Sequence, residues 1–108
     1  MDTWIHHQGA YIDFLSQVLL EAPDFEQEDY LEPHEQLDMD KAFAMLVERL
    51  ILFPRLQRNP QDRLIAEKMI EHAKKAFETG EILEGTTSIQ ELREFLRGKR
   101  PRRPPPDA

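Results

Sequence analysis

Cysteine is missing from the 108-residue chain, which excludes disulfides and thiolate chemistry and fits a reducing compartment. Serine occurs only at Ser16, within an expected helix, and at Ser88. A Ser/His/Asp nucleophilic site therefore has little to build on. The four glycines, Gly9, Gly80, Gly85 and Gly98, are isolated from one another, so no phosphate-cradling loop is written here. No apolar run approaches the ~18 residues of a membrane span. The opening MDTWIHHQGAYIDFL has no basic n-region and carries Asp2 and Asp13, unlike a signal peptide. There is no run of strand-like alternation and no internal repeat. These absences leave a soluble, cytoplasmic, all-α protein of one domain as the expectation.

The most telling deficit is of one charge sign. Residues 1–40 hold eleven carboxylates and not one Lys or Arg. Residues 41–96 are balanced, with nine of each sign, and residues 97–108 carry five basic groups and one acidic. The overall charge of −7 hides this segregation. Segregated charge of this kind reports on partners rather than on fold. The negative third repels nucleic acid and anionic lipid and attracts a basic protein surface.

Apolar periodicity and capping signals predict a compact bundle of about four helices. The first spans 3 to about 21, with Ile5, Ile12, Leu15, Leu19 and Ala22 on one stripe, widened by Tyr11, Phe14 and Val18. Thr3 or Asp2 is its expected cap, and Pro23 its stop. The second covers 40–53, capped by Asp38 or Asp40, with Ala42, Met45, Leu46, Arg49, Leu50 and Phe53 on one face. Phe43, Val47 and Ile51 extend that face, and Pro54 ends or kinks the helix. Residues 54–59 read as a basic connection. Asn59-Pro60 with Asp62 then opens a third helix to about Thr79. Leu64, Ile65, Met69, Ala73, Ala76 and Phe77 form its buried side, and Gly80 closes it. Residues 81–87 are expected as a loop, and Ser88-Ile89-Gln90-Glu91 as the capping box of a short helix over 88–97. Residues 98–108, rich in Pro and Arg, are expected to be a disordered tail outside the helical domain of residues 1–97.

Between the first two helices lies an acidic loop, within EAPDFEQEDYLEPHEQLDMD (residues 21–40), which holds nine carboxylates. Pro23 and Pro33 and the repulsion of like charges disfavour a continuous helix there. Phe25, Tyr30, Leu31, Leu37 and Met39 are set among the charges. A solvated loop whose Phe25, Leu31 and Leu37 anchor to the core is one reading. The other is a docking surface: Asp24, Glu26, Glu28, Asp29, Glu32 and Glu35 attract a basic partner, and Phe25 and Tyr30 are its anchors.

Other chemistry finds less support. His6 and His7 are adjacent and diverge on a helix. His34-Glu35 begins like a zinc-protease motif, but Asp38 stands where the second histidine belongs. No metal, no cofactor and no enzymatic activity are expected. The tail carries Lys99-Arg100-Pro101-Arg102-Arg103 without interleaved aromatics, so nucleic-acid binding is not expected.

Val47-Glu48-Arg49-Leu50, then Phe53-Pro54, then Leu64-Ile65-Ala66-Glu67-Lys68 resemble a pattern of small helical immunity proteins. Those proteins neutralise toxins delivered by bacterial type VI secretion. The resemblance spans 47–77, under a third of the chain, with a gap near 57–60. It implies an all-helical, non-enzymatic inhibitor that covers the basic active-site region of a cognate toxin and is a monomer or dimer alone. The acidic first third and the basic tail have no counterpart in it. The alternative is a small helical adaptor or assembly subunit of a phage or secretion particle, in which the acidic stretch only maintains solubility.

Overall fold

The computed structural model describes residues 7–22 and 38–99, and among these residues every regular element is helical. The all-α expectation holds. Several element boundaries move.

Helix α1 covers Gln8–Glu21, capped by His7, whose Nδ1 accepts the Ala10 N–H at 3.1 Å. The expected start near Thr3 is corrected. An imidazole acceptor takes the role usually given to Ser, Thr, Asp or Asn, which is why no cap was legible there. Residues 1–6, including Thr3 and Ile5, lie outside the described set. Ala22 is extended (ψ 144°), as a residue preceding proline must be.

Helix α2 covers Met39–Glu48, with the Asp38 carboxylate accepting the Lys41 N–H at 2.8 Å. Of the two candidate caps, Asp38 serves; Asp40 sits inside the first turn. The helix tightens into a 3-10 turn over Arg49–Leu52 and stops at the extended Phe53, just before Pro54. Ile51, expected on the buried face, is exposed, because the tighter winding rotates it out of the α-helical register.

Residues 54–58 are a helix, α3 (Pro54–Arg58), rather than a plain connection. Pro54 suits a first helical position, and one buried side chain, Leu56, pins the segment. A single apolar residue in five gives no readable period.

Helix α4 covers Pro60–Glu78, and Asn59 and Pro60 act as expected, with Asn59 Oδ1 accepting the Asp62 N–H at 3.4 Å. Gly80, at φ 83°, closes the helix. The Glu81 N–H reaches the Ala76 carbonyl at 2.8 Å and the Gly80 N–H reaches Phe77 at 3.2 Å, the paired bonds of a Schellman closure. Ala66, Met69, Ile70, Ala73, Ala76 and Phe77 are buried; Leu64, expected among them, is 51 % exposed.

Helix α5 covers Ile82–Leu96, which corrects both the expected loop over 81–87 and the capping box at Ser88. Ser88 lies mid-helix, 2 % exposed, and its hydroxyl donates to the Met69 carbonyl of α4 at 3.0 Å. Gly85 is buried against α4: a Cβ there would stand 2.8 Å from the Phe77 ring. Both residues look like loop formers in sequence. Here they are the small residues that let two helices approach closely. Gly98, at φ 95°, closes α5, with the Lys99 N–H on the Glu94 carbonyl at 3.0 Å.

The helices pack as a bundle around one core. Helices α4 and α5 make an antiparallel hairpin, bridged by Ser88 to Met69 and by His72 Nε2 to Glu84 Oε2 at 2.7 Å. Helix α2 runs against α4: Phe43 near its start meets Phe77 near the end of α4, with ring centres 6.2 Å apart. Helix α1 is fixed at its start. The Tyr11 hydroxyl donates to the Leu46 carbonyl at 2.7 Å, its ring meets Phe53 edge-on at 5.2 Å, and Gln8 donates to the Leu52 carbonyl at 3.0 Å. Burial pushes the Tyr11 phenol far above its ordinary pKa of 10.0, so it remains a donor. The core comprises Tyr11, Leu15, Leu46, Leu50, Ile70, Leu92 and their neighbours.

Candidate functional site

The expected partner-binding residues, Asp24, Phe25, Glu26, Glu28, Asp29, Tyr30, Glu32 and Glu35, all lie outside the described residues. The structure does fix the two points from which that segment departs, Ala22 and Asp38, and what surrounds them.

The start of α2 lies beside the end of α4: Asp40 pairs with Lys74 and Phe43 meets Phe77, and the antiparallel α4–α5 hairpin brings the start of α5 to the same place. This end collects Asp38 and Asp40 from α2, Glu71 and Glu78 from α4, and Glu81 and Glu84 around the start of α5. Among these six carboxylates stand three cations, Lys41, Lys74 and Lys75. Glu71, Glu78 and Glu81 are all exposed. Sequence reasoning missed them because they lie some thirty residues or more from the acidic stretch.

Three of the nine carboxylates of residues 21–40 are described, and two of them have work inside the fold. Asp38 caps α2, and Asp40 pairs with Lys74 at 2.9 Å, tying α2 to α4. The hydrogen bond that the Lys74 ammonium donates to the Asp40 carboxylate holds its pKa above the ordinary lysine value. Thr79 Oγ1 donates to the Glu81 carboxylate at 3.1 Å.

Cations are more numerous at the opposite end. It gathers Arg49 from the 3-10 turn, Arg55 and Arg58 from α3, Arg63 from α4, and Arg93, Arg97 and Lys99 from the end of α5. Glu48, Asp62, Glu67, Glu91 and Glu94 lie among these seven cations, and Arg49, Arg55, Arg63 and Lys99 pair with Glu48, Asp62, Glu67 and Glu94. Arg55 is the residue that organises this end. Its Nη2 donates to the Phe95 carbonyl at 2.6 Å, its guanidinium lies 4.9 Å from the Phe95 ring centre, and its Nε faces Asp62 Oδ2 at 3.7 Å. A cation on the last carbonyls of a helix also meets the negative end of the helix dipole. Residues 100–108, with Arg100, Arg102 and Arg103, follow directly from this end.

Helix α4, which links the two ends, is about 28 Å long for its nineteen residues. Among the described residues no three His, Cys, Asp or Glu side chains come together as metal ligands, and no helix is long and apolar enough to cross a membrane. No protein-family model, curated protein or solved structure matches the chain.

Proposed function

We propose that this chain is a non-enzymatic acidic binding protein that neutralises a cognate bacterial toxin by covering its basic active-site region. The observation that carries this reading is the run of eleven carboxylates without a cation in residues 1–40, with Phe25 and Tyr30 among them. Aromatic side chains within a charged surface serve as interface anchors, while the charges accelerate encounter and reject wrong partners. Two further features support it. The acidic segment departs from a bundle end that is itself rich in carboxylates. The resemblance of residues 47–77 to type VI immunity proteins points the same way. In this role Asp24, Glu26, Glu28, Asp29, Glu32 and Glu35 face the partner's cations.

The test is affinity capture from the source cells at low and high salt, with the wild type and with a charge-reversed variant (D24K, E28K, D29K, E32K) as bait. The expected result is one basic protein held by the wild type, released by salt, absent from the variant, and inactive as an enzyme when bound 1:1. Wild-type association rates in the variant, with protection retained, would remove the acidic segment from the contact.

A further inference from the structure

His7 and His72, the histidines among the described residues, use their rings in opposite ways. His72 meets the Glu84 carboxylate at 2.7 Å. A carboxylate only accepts, so the His72 Nε2 carries a proton and donates. That bond survives protonation of the ring, since the same N–H still points at the same oxygen. His7 does the reverse: its Nδ1 accepts the Ala10 N–H at 3.1 Å. A ring nitrogen accepts only while it has no proton, and both nitrogens of an imidazolium are donors. The cap of α1 therefore exists with the neutral ring alone.

The local structure is shaped around this cap. Gly9 leaves room for the ring: a Cβ there would stand 3.2 Å from His7 Nδ1 and 3.3 Å from Cε1, closer than ordinary van der Waals contact. His7 is exposed, so solvent protons reach it. The first turn of α1 holds no acidic residue to balance a cation, and the positive end of the helix dipole repels an imidazolium. Within α1 the nearest charge in sequence is Asp13. The start of α1 packs on the end of α2 and the 3-10 turn, whose charged groups Glu48 and Arg49 pair with each other at 3.7 Å. Helix α5, also packed on α1, brings Glu84, Glu91, Arg93 and Glu94. Among the described residues none of these groups forms an ion pair with His7.

We propose that His7 is a proton-sensitive cap that releases the first turn of α1 in acid. Histidine is the side chain whose charge changes between about pH 5 and pH 8, and the Ser, Thr and Asn that usually cap helices do not titrate there. Protonation of His7 removes the acceptor and sets a cation against the helix start. The capping contribution is complete on the alkaline side of the histidine range and is lost as pH falls through it. The effect is local. Gln8, in the released turn, gives up its bond to the Leu52 carbonyl, while Tyr11, fully buried and bonded to the Leu46 carbonyl, stops the unwinding. The seam between α1 and the 3-10 turn opens. The α4–α5 hairpin, whose His72 contact is kept in both states, does not. This device is independent of the toxin reading.

Amide exchange of the full-length chain at about pH 7.5 and about pH 5, the two sides of the histidine range, tests it, with each rate expressed as protection relative to an unstructured peptide at the same pH. The amides to follow are Ala10, bonded to the ring, and Tyr11, bonded to the His7 carbonyl at 3.1 Å. In the wild type their protection should fall about fivefold in acid, the worth of a typical helix cap. H7N keeps an acceptor that does not titrate and should hold its protection at both pH values. H7A lacks the cap and should open at the higher pH as far as the wild type does at the lower. Circular dichroism checks that the three proteins fold alike. Equal protection of Ala10 and Tyr11 in the wild type at both pH values overturns the proposal. So does an H7N variant that loses protection to the same extent, which would move the proton to another group, and so does a loss shared by α4 and α5, which would be global unfolding.

Discussion

Two buried side chains show how single residues set this fold. Tyr11 is fully buried, and its hydroxyl meets the Leu46 carbonyl in the last turn of α2, where helix carbonyls lack full intrahelical partners. Y11F leaves that carbonyl without its partner in an apolar core and should lower stability by about 1–2 kcal/mol, read by urea denaturation. The same residue imposes a pH dependence. Its folded pKa is raised above the unfolded value of 10.0 by burial. Below pH 10 both states hold the proton and its contribution is intact. Above that the unfolded chain releases a proton the folded one keeps, so stability falls as pH rises, by about 1.4 kcal/mol per unit. Wild type should therefore lose stability on the alkaline side faster than Y11F. Lys74, also raised, acts in the same direction in both proteins. Gly85 tests close packing. Alanine is worth about 1 kcal/mol more than glycine within a helix, so propensity alone predicts that G85A stabilises. The Phe77 ring 2.8 Å from the new Cβ predicts the reverse, a net loss of about 1–2 kcal/mol from overpacking, visible as a lowered Tm.

At the scale of elements, the legible helices were those with strong local signals. Asn59-Pro60 and Gly80 bounded α4 correctly, and the apolar run from Ala42 placed α2. The misplaced boundaries of α3 and α5 share a physical cause: a tertiary contact overrode local propensity. Gly85-Thr86-Thr87-Ser88 has loop-like composition, yet it is helix because Gly85 and Ser88 are the residues small enough to seat α5 on α4. The residues of α3 have no periodicity, yet they are helical because Leu56 is buried and Arg55 docks on α5. R55A should remove a charged hydrogen bond and a ring contact from the end of α5. Because the side chain is 38 % exposed, we expect a loss of about 1–2 kcal/mol rather than the full value of a buried ion. R55K should recover only part of it, since a lysine cannot hold the carbonyl and lie flat on the ring together. Faster amide exchange confined to the last turn of α5 would mark the same lesion.

At the scale of the whole molecule, charge was legible as a list and not as a shape. The sequence shows an acidic front and a basic tail. It does not show that the end of α4 comes to the start of α2, where Lys74 meets Asp40, or that Arg55 of α3 comes to the end of α5, because helix packing decides both. Of the acidic stretch itself, Asp38 and Asp40 turn out to hold α2 in place, a role that its charge density concealed.

The order of contacts along the chain has a kinetic corollary. Helices α4 and α5 are consecutive, and their mutual contacts close short loops of 12 to 19 residues, whereas Tyr11 must find Leu46 across 35 residues. Short closures are reached first and long ones last. The α4–α5 hairpin is therefore expected to assemble early and α1 to dock late. In native-state hydrogen exchange, α1 amides should open at a free energy below that of the hairpin. Residues 23–37, which follow α1 directly in the chain, would then be tethered at one side to the last helix in and the first helix out.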